Sequence, residues 1–168
     1  MGPTAFFISL TSERVKIVLI RKANVRDVPE MQALINQYAD RGELLPRSLN
    51  QLYENLREFI LMENDGRIIG TCALHICWGD LAEIKALVVD ESHQGKGYGR
   101  TLVQFCMDEA HVLGIEKVFA LTYKPEFFKK IGYRDIDKSE LPQKVWTECI
   151  NCVKFPNCGE SAVICNLE

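Results

Sequence analysis

Leu81 to Gly114, LAEIKALVVDESHQGKGYGRTLVQFCMDEAHVLG, is the stretch from which the rest of the chain can be read. Leu81 to Val89 is a run of β-type residues, apolar throughout except at Glu83 and Lys85. It leads into a glycine loop, Gln94-Gly95-Lys96-Gly97-Tyr98-Gly99. Beyond the loop, Leu102, Phe105, Cys106, Ala110 and Leu113 share one helical face, and Gly114 stops the helix. Strand, glycine loop and helix in that order make an anion site. The glycines let the backbone come close to a ligand, and the loop amides and helix N-terminus converge their N–H groups. Lys96 and Arg100 add positive charge, so the expected ligand carries a phosphate or pyrophosphate.

Spacing separates this loop from other nucleotide loops. A Walker loop needs Gly-Lys followed by Ser or Thr, which does not occur here. A dinucleotide fingerprint runs G-x-G-x-x-G directly after its strand. Here the glycines run G-x-G-x-G, and Asp90 to His93 intervene. The pattern that fits is Q-x-x-G-x-G, from Gln94, Gly97 and Gly99, preceded by the Ala82-Glu83-Ile84 strand. It resembles the acyl-CoA signature of the GNAT superfamily of N-acyltransferases.

The flanking sequence supports that resemblance. Val15 to Ile20 reads as a strand. Asp27-Val28-Pro29-Glu30 has the register of an N-cap, an early-turn proline and a capping-box glutamate, and Met31, Leu34, Ile35 and Tyr38 continue at helical spacing to about residue 40. After the break at 41–47, RGELLPR, Ser48 and Gln51 form a second capping-box pair before Leu49, Leu52, Tyr53 and Leu56. Glu58 to Glu63 and Arg67 to Trp78 read as strands joined by an Asn64-Asp65-Gly66 turn, and Gly79-Asp80 turns into the central strand. Lys117 to Thr122 is a further strand, Pro125 to Ile131 a short helix ended by Gly132, Tyr133 to Ile136 a weak strand, and Ser161 to Cys165 a closing one.

That order, β-α-α-β-β-β-α-β-α-β, is the element order of the GNAT fold: an α/β (α+β) domain with a mixed, mostly antiparallel sheet flanked by helices. Residues 15–168 read as a single such domain and 1–14 as an appended segment. The stretches 42–48, 82–84, 121–122 and 127–133 further resemble the acetyltransferase part of bacterial N-acetylglutamate synthase, an enzyme of arginine biosynthesis, in a stand-alone short form.

The resemblance implies acetyl-CoA as co-substrate and a small amino acid, glutamate first, as acceptor. Amides from Gly95, Lys96, Gly97, Tyr98, Gly99 and Arg100, with Gln94, would hold the pyrophosphate, and the backbone of Leu87, Val88 and Val89 would pair with the pantetheine arm. Glu83 would be the general base. Strand alternation places Glu83, Lys85 and Leu87 on one face, and an ordinary Glu83–Lys85 pair on a solvated face is the competing reading. Many family members carry a Tyr acid in a segment like F-Y-x-x-x-G-F. Here Phe128 occupies that position as a donor-site residue that cannot give a proton, and Tyr123 is a phenol nearby in sequence. Arg47 and Lys85 would meet acceptor carboxylates.

Composition narrows the alternatives. The 168 residues suffice to bury roughly 70% of the unfolded surface. A net charge of −3 and the absence of a long basic run argue against nucleic acid as partner. No apolar run reaches the ~18 residues of a membrane span, and the opening residues lack the basic start of a signal peptide. Seven cysteines without an export signal point to reduced thiols and a cytoplasmic setting. Cys149-x2-Cys152-x5-Cys158 with Cys165 could supply sulfur for zinc, but structural thiols and no metal are expected. A homodimer is compatible with this reading. So are a GNAT enzyme acting on another amine and an acyl-CoA-binding module without turnover.

Overall fold

The computed structural model describes residues 5–11, 14–142, 150, 154 and 157–167, with side chains from Val18 onward. Its elements are β1 (Ala5–Thr11), β2 (Arg14–Lys22), α1 (Val28–Ala39), α2 (Leu49–Glu54), β3 (Phe59–Asn64), β4 (Arg67–Trp78), β5 (Leu81–Val89), α3 (Tyr98–Val112), β6 (Lys117–Thr122), α4 (Pro125–Lys129), β7 (Arg134–Ile136) and β8 (Ser161–Asn166). The strands hydrogen-bond in the order β1-β2-β3-β4-β5-β6-β8-β7. The pairs β1–β2, β2–β3, β3–β4, β6–β8 and β7–β8 are antiparallel, and β5–β6 is parallel.

Two compact units divide the chain, Met1–Leu74 with Ala86–Cys106, and His75–Lys85 with Met107–Glu168. In the first, Val28, Met31, Leu34, Ile35 and Tyr38 of α1 form one buried stripe, as their spacing requires. They pack with Leu52, Phe59, Leu61, Ile68, Ala73 and Val88. Each such side chain contributes about 1.5–3 kcal/mol on burial. The second unit has its own core of Cys77, Leu81, Phe119, Leu141, Ala162 and Ile164.

The segment read from sequence as appended contains a strand. Ala5–Thr11 pairs along its whole length with β2, from Ala5↔Ile20 to Thr11↔Arg14. Its residues, AFFISLT, are strand formers, and pairing covers an edge of β2 that would otherwise expose a row of backbone groups.

Two capping boxes were expected, and one forms. At α2, Ser48 accepts from the Gln51 amide while the Gln51 side chain accepts from the Ser48 amide. At α1, Asp27 makes no side-chain cap bond. Its carboxylate takes both Arg21 guanidinium nitrogens, at 2.7 and 2.9 Å, and the Asn24 amide at 2.7 Å. Glu30 accepts instead from the Ile68 amide at 2.9 Å. Charged, bidentate partners brought in by the tertiary fold displace the local cap.

The Arg21 clamp also reaches Glu63, at 2.9 Å. Burial pushes the Asp27 carboxyl up, but the Arg21 and Asn24 hydrogen bonds together outweigh it and hold the group below its ordinary 3.8. A carboxyl lowered on folding stabilises the fold above its unfolded pKa, and that stabilisation fades as pH falls through the folded value. Asp27→Asn is therefore expected to lower stability by about 1–3 kcal/mol at neutral pH. The difference from wild type should vanish as urea titrations are carried below pH 3.8. A gap that stays constant into acid would rule the clamp out as its source.

Ala86 interrupts the central strand. It adopts φ +48°, one of two non-glycine residues with positive φ among those described. The other, Asp65, sits with Gly66 (φ +50° and +76°) in the β3–β4 turn, where two successive positive φ values are what a tight hairpin demands. At Ala86 no turn is present. The buried hydroxyl of Thr71 donates to the Ala86 carbonyl at 2.8 Å, standing in for a ladder partner. The simple alternation expected along the strand therefore holds at Glu83 and Lys85 and cannot be carried through Ala86 to Leu87. A left-handed residue costs an L-amino acid about 1–2 kcal/mol, and a β-branched one more. Ala86→Val is expected to lower the urea midpoint by the equivalent of about 2 kcal/mol or more, whereas Ala86→Gly should leave it nearly unchanged. Equal effects of the two would show that the conformation is not what limits this position.

Candidate active site

The donor loop belongs to the first unit. Asp90 anchors its entry: its amide donates to the Ile69 carbonyl at 2.8 Å, and its carboxylate accepts from the Ser92 amide, the Ser92 hydroxyl and His93 Nδ1. Those hydrogen bonds, Ser92 first, hold the Asp90 carboxyl below its ordinary range. Gly95 and Gly97 have φ +75° and +82°, and a Cβ on either would meet no atom within 4 Å. Glycine is needed here for backbone conformation, and the space above both residues is open to an approaching anion. Gln94 to Gly97 are exposed, as is Arg100, while Tyr98 and Gly99 are half-buried at the start of α3. The Lys96 ammonium rests on the Ser92 carbonyl at 3.3 Å. An exposed loop with two left-handed glycines running into a helix start suits a pyrophosphate.

The Gln94 side chain has a different task from the loop amides. Its Nε2 donates to the Val89 carbonyl at 2.9 Å and to the Tyr38 hydroxyl at 3.2 Å. Tyr38 itself donates to the same carbonyl at 2.9 Å. Burial, and then the nearby Asp90 carboxylate, push the phenol above its ordinary pKa, which keeps it a donor. The end of β5, the loop and α1 are thus joined at one oxygen. Of the three strand residues read as the pantetheine track, Val88 is buried and Leu87 and Val89 are half-buried.

Arg47, also in the first unit, is held by its backbone. Asn36 Oδ1 accepts from the Arg47 amide at 2.9 Å, while Asn36 Nδ2 and Gln32 Nε2 donate to the Arg47 carbonyl at 3.1 and 3.0 Å. The residue is half-buried, and its guanidinium makes no hydrogen bond or ion pair among the described residues. Sequence reasoning singled out Arg47 and missed Asn36, Gln32 and the Tyr38 hydroxyl. Tyr38 showed only as a core position on a helical face, and nothing in the spacing marks two amides as loop ligands.

Glu83 and Lys85 belong to the second unit. Glu83 is 8% exposed, and its Oε2 lies 3.3 Å from the Lys85 ammonium. The pair that sequence alone allowed on a solvated face does form, but it is largely out of water: the two side chains are 11% and 12% exposed. Lys85, read as an acceptor cation, is thereby a direct neighbour of the proposed base. Phe128 is buried, edge-on to Phe127 and Tyr133 with both ring centroids 5.1 Å away. The Tyr123 oxygen accepts from Lys154 Nζ at 2.9 Å, and that hydrogen bond raises the Lys154 pKa.

Cys149 and Cys152 lie outside the described residues. Among the described ones, no three His, Cys, Asp or Glu side chains come together as metal ligands. The Cys158 thiol donates to Glu160 at 3.3 Å, and Cys72, Cys77, Cys106, Cys158 and Cys165 are not in disulfides. No described helix is long and apolar enough to cross a membrane.

A ligand that binds only the native state stabilises it, by about 2.7 kcal/mol at a hundred times its Kd. Coenzyme A should accordingly raise the melting temperature of the wild-type protein. Valine at φ +82° forces the loop to reorganise, so Gly97→Val should lose that shift along with some intrinsic stability. An undiminished shift in the variant would move the donor phosphates elsewhere.

The family model described as Acetyltransferase (GNAT) family matches residues 27–133. The chain is similar to an uncharacterised N-acetyltransferase of Chlorobaculum tepidum, 37% identical over 86% of this chain and 94% of that protein. It is also similar to an amino-acid acetyltransferase of Mycobacterium tuberculosis, 35% identical over 77% of this chain and 76% of that one. Among solved structures, it resembles N-acetylglutamate synthase of Neisseria gonorrhoeae complexed with coenzyme A and N-acetyl-glutamate. The TM-score is 0.83 at 31% identity, covering 90% of this chain but 35% of the synthase. The family match spans the donor loop, Glu83 and Arg47 alike: the chain belongs to the GNAT family and is an acetyl-CoA-dependent N-acetyltransferase.

Proposed function

We propose that this chain acetylates the amine of a small amino acid, with L-glutamate as the acceptor. The observation that carries the reading is Arg47: a half-buried residue whose guanidinium has no partner among the described residues, on a backbone held by three side-chain hydrogen bonds. Such a group suits a carboxylate, which its planar fork can take bidentately. The names of the Mycobacterium tuberculosis relative and of the Neisseria gonorrhoeae structure point the same way.

Acetyl-CoA supplies an activated carbonyl and a thiol leaving group. In this reading the loop amides from Gly95 to Arg100 hold its pyrophosphate, the backbone of Leu87 to Val89 pairs with its pantetheine, and Gln94 holds the loop to the strand end. Glu83 takes a proton from the acceptor ammonium. The freed nitrogen forms its bond to the thioester carbon and gives up its second proton to solvent as the carbon–sulfur bond breaks, and the departing thiolate takes a proton from water, since Phe128 has none to give. Lys85 keeps its place beside Glu83, with the acceptor's carboxylate end within its expected role.

Thiol release from acetyl-CoA, measured against a panel of free amino acids and simple amines, tests this directly. Glutamate should give the highest kcat/KM, with amino acids lacking a second carboxylate behind it. A preference for cationic or neutral amines would refute the assignment and leave the acetyltransferase activity standing.

A further inference from the structure

Arg47 lies in a segment with no regular structure, between Arg41 and the start of α2. Residues in such a segment normally move, and a long side chain there has many conformations to lose on binding. The structure removes the backbone part of that freedom before any ligand arrives. One carboxamide, that of Asn36, closes on both backbone groups of Arg47, accepting from its N–H at 2.9 Å and donating to its carbonyl at 3.1 Å. A neighbouring strand would satisfy the residue in the same way. Gln32, one helical turn earlier on α1, donates to the same carbonyl at 3.0 Å, so both of its lone pairs are used. On one side Pro46 has a ring-locked φ, and on the other Ser48 is fixed by its capping box with Gln51.

Three side-chain hydrogen bonds therefore converge on a residue whose own side chain contacts no polar partner among the described residues. We propose that Asn36, assisted by Gln32, is a positioning residue for acceptor recognition. Its carboxamide sets the Arg47 Cα so that the backbone carrying the guanidinium is already in place when the acceptor carboxylate arrives. The inference rests on the acceptor role of Arg47 and adds the device that makes that role specific. Asn36 itself touches no substrate; it acts through Arg47. The same helix carries Tyr38, whose hydroxyl holds the Val89 carbonyl, so α1 positions elements of both the donor and the acceptor reading.

The test is a double-mutant cycle read in steady-state kinetics, with glutamate and acetyl-CoA varied separately. Asn36 and Gln32 are half-buried, so leucine at either position removes the hydrogen bonds with little change in volume. Asn36→Leu, which removes both Asn36 hydrogen bonds, should raise the glutamate KM about tenfold, the equivalent of about 1.4 kcal/mol of acceptor binding. The KM for acetyl-CoA and kcat should stay within about twofold. Gln32→Leu, which leaves the Asn36 bonds intact, should give the same pattern with a smaller rise, and it serves if Asn36→Leu folds poorly. In an Arg47→Ala background, Asn36→Leu should change the glutamate KM no further, because the group it positions is gone. A purely structural Asn36 would lower kcat and donor affinity too, and would do so in either background; that result overturns the proposal. So does an unchanged glutamate KM in both leucine variants while Arg47→Ala alone raises it, an outcome that leaves the acceptor reading intact. If Arg47→Ala itself has no effect on glutamate, the acceptor reading falls first and the positioning role with it.

Discussion

Glu83→Gln is expected to lower kcat by about 10²-fold or more, the usual range for loss of a general base. Glutamine keeps the shape of the side chain and its hydrogen-bonding reach, but it cannot accept a proton at neutral pH. The loss should shrink as pH rises, because more of the acceptor amine is then neutral without help. Affinity for coenzyme A should barely change, since the donor phosphates are assigned to the loop from Gly95 to Arg100. The substitution also removes the negative partner of Lys85, whose ammonium lies 3.3 Å away on a side chain only 12% exposed. Taking a negative partner away from a mostly buried charge destabilises the fold in its own right. Glu83→Gln combined with Lys85→Met removes both charges and separates the two effects: stability should recover relative to the single variant, and turnover should not. An equal loss of rate at every pH, together with weakened coenzyme A binding, would make Glu83 a structural residue.

Arg47→Ala is expected to raise the glutamate KM by the equivalent of about 1.5–3 kcal/mol, the range for a charged hydrogen bond. Arg47→Lys should already impair glutamate, because lysine keeps the charge and loses the planar fork. Neither should affect coenzyme A affinity much. Glutamine has the α-carboxylate of glutamate and lacks the second one, so comparing the two acceptors shows which carboxylate Arg47 meets. A loss for glutamate alone assigns it to the side-chain carboxylate, and an equal loss for both to the α-carboxylate. If both acceptors are used as before, Arg47 is a surface cation and the local argument for an amino-acid acceptor is removed.

The features legible in the chain alone are those whose cause lies within a few residues. The α1 stripe of Met31, Leu34, Ile35 and Tyr38, the Ser48–Gln51 box, the Asp65-Gly66 turn and Gly114 after α3 are all local, and each stands where its residues predict, whereas α4 stops at Lys129, before the Ile131 end that was expected. The donor loop is legible for the same reason, because Gly95 and Gly97 encode a backbone shape that other residues resist. On α3 the buried residues are Leu102, Val103, Cys106, Met107 and Ala110, while Leu113, expected on that face, lies past the last helical residue and is 52% exposed.

What the amino-acid sequence by itself determined is the order of the elements from β2 onward and the backbone shape of the glycine loop, while it offered Glu83 and Arg47 as candidates. Only the tertiary structure decided what those residues touch. Asp27 and Glu30 have the same local capping signature as Ser48 and Gln51, yet Arg21, six residues before Asp27 on β2, and the Ile68 amide, 38 residues beyond Glu30, claim them. Ala86 has no local reason to leave the β region; Thr71 on β4 meets the carbonyl that results. Gln94 reads as part of the phosphate motif, but its amide reaches Tyr38, 56 residues earlier. Arg47 reads as one cation among many until Asn36 and Gln32 are seen holding its backbone. In each case a buried or half-buried polar group must find a partner, and which partner it finds depends on which distant segment the fold brings alongside it.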